Sequence, residues 1–104
     1  MELKKEQLNL VIQKISDVSE LLYQQKIMDA MEQLNDLLGE ISVVLDGLCR
    51  YGVKHEGFEF DQNRVMGSLQ EAIQMMETKD YVMLADIFQY DLVEYLRELM
   101  DGIE

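Results

Sequence analysis

His55 is the only histidine and Cys49 the only cysteine in the chain, and this scarcity bounds the chemistry its residues can do. One histidine excludes paired-imidazole metal sites and the Glu-x-x-His arrangement of di-iron bundles. One cysteine excludes an internal disulfide and a zinc cluster. Cys49 closes the apolar run that includes Val43, Val44, Leu45 and Leu48, where a buried inert thiol is expected rather than a nucleophile. A serine nucleophile would have to be Ser16, Ser19, Ser42 or Ser68, and none stands on a glycine-rich strand-to-helix turn. Phosphate-cradling glycine loops are absent too. The residues therefore assign no catalytic group, cofactor or metal ligand.

Carboxylates are the abundant chemical group. Asp29, Glu32, Asp36 and Glu40 recur at steps of three and four, which places them along one helical face. From Ile27 to Cys49 there are five acids and no base. Like charges at this spacing cost a few tenths of a kcal/mol per pair, so the stripe reads either as a solvated outer face or as a docking track for a basic helix or tail. No glycine-hinged calcium loop accompanies it. The whole chain carries a formal net charge of −12. Such a field repels nucleic-acid phosphates and anionic lipid, so neither nucleic acid nor membrane is expected as a partner. It suits a basic protein partner, or serves solubility alone.

The elements that must position these groups are helices. The 104 residues are 48% hydrophobic and contain no proline, a length and composition that fit one domain with one core. Apolar residues recur at helical spacing almost throughout. Helix 1 is expected from about Leu3 to Tyr23, with Leu8, Val11, Ile12, Ile15, Val18 and Leu22 inward. After a break at Gln24-Gln25-Lys26, helix 2 presents Ile27, Met31, Leu34, Leu38, Ile41, Leu45 and Leu48. Gly52 reads as its stop, Val53 to Phe60 as a connector, and Asp61 as the cap of helix 3. Val65, Met66, Leu69, Ile73 and Met76 are the inward residues of that helix. Thr78 or Asp80 caps helix 4, which runs from about Tyr81 to Met100. Short turns within each pair and a longer link between them imply two helical hairpins, residues 3–52 and 61–101, packed as an antiparallel four-helix bundle. An offset of 54 residues lays one hairpin on the other without a gap, Val11 on Val65, Ile15 on Leu69, Leu34 on Phe88 and Leu38 on Leu92. An internal duplication of a helical hairpin would give this register, and so would equal arms and turns alone.

Helix 4 stands out. From Tyr81 to Phe88 only Asp86 is charged, so apolar surface wraps most of the helix and needs cover on several sides. Met83, Ile87 and Tyr90 form a stripe beside the main one of Leu84, Phe88, Leu92 and Leu99, and are the expected intermolecular contacts. The alternative is that the connector folds over them. Asp86, if enclosed, needs a hydrogen-bonding partner such as a tyrosine hydroxyl. Phe58 and Phe60 in the connector either plug one end of the bundle or anchor a partner.

Two resemblances bear on function. Arg50-Tyr-Gly-Val-Lys-His55 resembles the active-site spacing of HEPN domains, the all-helical ribonucleases of toxin systems, which would give Arg50 and His55 the scissile phosphate and its protons. Against it, Gly52 is expected to break the helix between them, and the acidic chain opposes RNA. The stretch from Thr78 through Lys-Asp-Tyr-Val-Met-Leu-Ala-Asp-Ile-Phe to Arg97 resembles a segment of small helical proteins of Gram-positive anaerobic bacteria, a family without established site residues. In size, acidity and helix content the chain is also similar to small bacterial export chaperones. The expected function is a non-enzymatic interaction module, an adaptor or chaperone-like bundle binding a protein partner or itself through helix 4. A ribonuclease and a structural or regulatory homodimer are the alternatives. A cytoplasmic location is expected, since the first residues lack an apolar signal core and no apolar run nears the roughly 20 residues of a membrane span.

Overall fold

A computed structural model describes residues 3–103. It is an all-α bundle, with α1 at Lys5–Tyr23, α2 at Ile27–Lys54 and α3 at Gln62–Glu77. A last helical rod follows in three parts: α4 at Tyr81–Asp86, a π-helical segment at Ile87–Val93, and α5 at Glu94–Asp101. The 28 residues of α2, at about 1.5 Å each, account for the 41 Å long axis of the molecule. α1 is the central helix and packs against both α2 and the last rod, while α3 packs on α4 and the π segment. All the residues expected inward on α1 are buried, joined by Ser19, whose hydroxyl donates to the Ile15 carbonyl oxygen at 3.2 Å.

The two short turns match bond for bond at the offset of 54. After α1, Lys26 N–H donates to the Leu21 carbonyl (2.9 Å) and Gln25 N–H to that of Leu22 (3.1 Å). After α3, Asp80 N–H donates to the Met75 carbonyl (2.9 Å) and Lys79 N–H to that of Met76 (3.3 Å). Gln25 and Lys79 carry the left-handed φ values of 65° and 61° that this way of closing a helix requires. Asp80 caps the helix that follows, accepting from Met83 N–H at 3.1 Å. Thr78 instead bonds back to the Gln74 carbonyl (3.1 Å). Asp61 caps α3 as expected, accepting from Arg64 N–H at 3.1 Å.

Gly52 does not stop α2. The helix continues to Lys54 and ends where His55 becomes extended, and the reversal falls to Gly57 at φ 92°. Gly52 instead lies against Phe58. A Cβ there would stand 3.7 Å from both the Phe58 ring and the Phe58 carbonyl oxygen, while one at Gly102 would stand 3.4 Å from the same ring. Both distances are ordinary van der Waals contacts, so the two glycines sit against Phe58 where it packs between the ends of α2 and α5. The connector is thus shorter than expected, with Val53 and Lys54 belonging to the helix.

The π segment corrects the expectation of one regular helix. Burial in the last rod first follows α2 at an offset of 54, Leu84 matching Ala30 and Phe88 matching Leu34. From Leu92, near the end of the π segment, it follows at 55, with Leu92, Leu96, Leu99 and Ile103 matching Leu37, Ile41, Val44 and Leu48. One extra residue has been absorbed by widening the helix locally. The rod consequently buries Ile87, Val93 and Tyr95 as well, so it is enclosed more completely than an amphipathic helix.

Candidate functional site

On α2 the buried face is Ala30, Leu34, Leu37, Ile41, Val44, Leu48 and Tyr51. Of the expected stripe, Leu34, Ile41 and Leu48 are therefore buried, Leu38 is 47% exposed, and Ile27, Met31 and Leu45 are half-covered. On α3 only Val65 and Ala72 are buried; Met66 is 45% and Ile73 56% exposed, with Leu69 and Met76 between. These departures share one cause. The faces of α2 and α3 that would close the fourth side of the bundle scarcely approach each other.

Comparison of α1 with α3 locates the opening. Val11, Ile15, Val18 and Leu22 on α1 correspond to Val65, Leu69, Ala72 and Met76 on α3, and all are covered at least in part. Leu8, Ile12 and Ser19 are also buried on α1, whereas their counterparts Gln62, Met66 and Ile73 are exposed. α1 has helices on two sides and α3 on one. Between α2 and α3 lies a cleft of about 260 Å³, with Leu45, Cys49, Phe60, Val65 and Met66 in its walls and Ser42, Asp46 and Gln62 at its margins. Leu38 and Ile73 continue the two apolar stripes beyond it at helical spacing. Cys49 is partly buried in the wall of this cleft rather than fully enclosed.

Other expected site residues lie elsewhere. Ile87 is 4% exposed, so it belongs to the core and cannot be an intermolecular contact; the widened helix turns it inward. Met83 and Tyr90 remain 47% and 58% exposed. Asp86 is half-buried and accepts a short hydrogen bond from the Tyr23 hydroxyl at the end of α1. Tyr23 is 38% exposed, yet partial desolvation of its hydroxyl, this hydrogen bond and the negative charge of Asp86, with smaller contributions from Tyr90 and Glu20, hold it above the usual phenol range. A raised pKa means that the folded protein keeps a proton which the unfolded chain loses above about pH 10. Its stabilisation is complete below that pH and declines as pH rises further. Urea unfolding at about pH 9 and about pH 11 should therefore show a steeper alkaline loss of stability for the wild type than for Tyr23→Phe.

Asp29, Glu32 and Asp36 are exposed on α2, and Glu40 is half-buried. Lys14 of α1 reaches Glu40 at 2.7 Å, so a neighbouring base offsets part of the stripe. Phe58 fills the bundle end edge-on to Tyr51, with ring centroids 4.8 Å apart. Phe60 stacks near Tyr95 at 6.4 Å, and Arg64 covers that tyrosine ring at 4.0 Å. The Tyr95 hydroxyl in turn accepts from Asp61 N–H at 2.8 Å, which ties the connector to the last rod.

Arg50 and His55 are occupied separately. Arg50 Nε pairs with Asp46 at 3.2 Å, one turn back along α2. His55 stacks on Tyr51 at 3.8 Å and places Nδ1 3.0 Å from the Tyr51 carbonyl oxygen, a contact that needs the proton on that nitrogen. Among the described residues, no three His, Cys, Asp or Glu side chains converge as metal ligands, and no helix is long and apolar enough to cross a membrane.

The fold and this seam define an all-α bundle closed on three sides and open between α2 and α3. A family model, described as a domain of unknown function (DUF8042), matches residues 3–102, and the chain belongs to that family. No curated protein and no solved structure matches it.

Proposed function

We propose that the protein is a non-enzymatic interaction module whose contact surface is the seam between α2 and α3. The observation that carries this reading is the cleft walled by Leu45 and Met66, with the exposed Leu38 and Ile73 continuing the apolar surface two turns further along α2 and α3. Exposed apolar surface along a groove between helices is the usual form of a helix-binding site. The seam replaces the stripe of Met83, Ile87 and Tyr90 as the principal surface, because the middle residue of that stripe is core. A cytoplasmic adaptor or chaperone-like role accords with the acidic surface and the single unpaired thiol.

Cys49 supplies the test, since it is the only thiol in the sequence and lines the cleft. A photo-crosslinker attached there should form a discrete protein adduct in extracts of the source cell, and Leu38→Glu should abolish it. A wild-type protein that yields no adduct, or an adduct indifferent to Leu38→Glu, would overturn the assignment of the seam.

A further inference from the structure

We infer that the protein has a second docking surface, the groove between α1 and α2, and that its occupant is a helix of another protein carrying lysine or arginine two turns from an apolar side chain. This groove stands independently of the seam. At about 100° per residue, Asp36 lies about 160° round α2 from Leu38, and Val43 the same from Leu45, so groove and seam occupy opposite edges of that helix.

One half of the groove is acidic. It encloses about 330 Å³, with Asp17 of α1 and Asp36 and Glu40 of α2 in its walls. Lys14 is the one base there, and Glu40 holds it at 2.7 Å. Asp17 accepts only from the neutral amide of Gln13, at 3.0 Å. Among the described residues the ion pairs are Lys14–Glu40 and Arg50–Asp46, which leaves Asp17 and Asp36 without a basic partner. Asp29 and Glu32, both exposed, continue the same edge of α2. The other half is apolar. Glu40 also borders a pocket of about 190 Å³ in which Leu10 and Val11 of α1 face Gly39 and Val43 of α2. Leu10 is 55% and Val43 59% exposed, and a Cβ at Gly39 would meet nothing within 4 Å, so this half lies open.

The two halves select the occupant. Unmatched carboxylates attract a basic side chain and speed its encounter, an effect that salt weakens. The open apolar half calls for an apolar side chain in the same segment. Asp36 and Val43 are seven residues apart, about 10 Å along α2 and two turns of an entering helix. The backbones of α1 and α2 are paired within each helix, so the walls offer no ladder to an extended strand, whereas a helix pairs its own groups. A second copy would bring a net charge of −12 against these carboxylates, which opposes association.

Three synthetic helical peptides of about three turns test this. The first carries lysines two turns from a leucine, the second has glutamate in place of lysine, and the third glutamine in place of leucine. Binding to the full chain is read by fluorescence anisotropy. The first peptide should bind at least tenfold more tightly than either of the others. Asp36→Lys and Val43→Glu should each weaken it tenfold or more, while Ile73→Glu on the seam leaves it unchanged. All three side chains are exposed, and circular dichroism verifies folding; Val43→Gln replaces the glutamate variant if that one unfolds. Equal binding of the lysine and glutamate peptides would overturn the inference. So would equal binding with and without leucine, which is attraction to net charge alone. Loss of binding on Ile73→Glu, with indifference to Asp36→Lys and Val43→Glu, would place the peptide in the seam, overturning this groove while supporting the seam. Binding of none of the peptides would overturn the groove as a docking surface and leave the seam to its own test.

Discussion

Deleting Asp91 from the π segment should leave a folded bundle, whereas deleting Asn35 from α2 should unfold it. Both residues are exposed and polar, so side-chain contacts do not distinguish them. Register does. Each residue of an α-helix turns the chain by about 100°, so one deletion rotates everything beyond it by that angle relative to what came before. In α2 this would carry Leu37, Ile41, Val44 and Leu48 out of the core. Four large apolar side chains, each worth about 1.5–3 kcal/mol when fully buried, would lose their partners. That loss is comparable with the entire stability of a small domain, about 5–15 kcal/mol. In the π segment the surplus residue is already present, and its removal lets the helix narrow to ordinary α geometry. Leu84, Phe88 and the shifted Leu92, Leu96 and Leu99 would then fall at steps of three and four on one continuous face. Thermal unfolding followed by circular dichroism separates the two outcomes. A cooperative transition for the Asn35 deletion, or none for the Asp91 deletion, would refute the account of the inserted residue.

The second large effect comes from two leucines that occupy equivalent places in the sequence. Leu38 and Leu92 are separated by the offset of 54, yet Leu92 is 1% exposed and Leu38 47%. Leu92→Ala removes a fully packed side chain and leaves a cavity that neighbouring helices only partly fill, for a loss of about 2–5 kcal/mol. Leu38→Ala removes atoms that water already reaches, for a loss of under about 1 kcal/mol. Urea midpoints for the two variants, compared at equal slope, read the difference directly. Similar losses would mean that Leu38 is covered in solution and the seam is closed.

These two leucines also mark how far the amino-acid sequence reaches. Helical class, the two short turns and the Asp61 cap could be read because capping and 3.6-residue periodicity are local signals. The α1 stripe was correct because helices flank it on both sides. Leu38, Met66 and Ile73 were assigned to the core because spacing identifies an apolar face without identifying what covers it. Ile87 was misplaced because one added residue is invisible when apolar side chains are as dense as they are from Tyr81 to Phe88. Gly52 reads as a helix stop because a glycine that ends a helix and one that stands within its last turn have the same appearance in sequence. The acidic stripe was legible as a stripe, but its ion pair with Lys14 depends on how α1 and α2 lie together.

The support of α3 from one side only carries a thermodynamic consequence. Local opening begins where few apolar contacts must be surrendered, and among the four rods α3 has the fewest buried side chains, Val65 and Ala72. It can detach while α1, α2 and the last rod stay together. Any partner that lies along the seam holds that detachable helix in place, so its binding energy becomes part of the folding energy of the domain. Occupied and empty forms would then differ less in shape than in how long α3 stays docked.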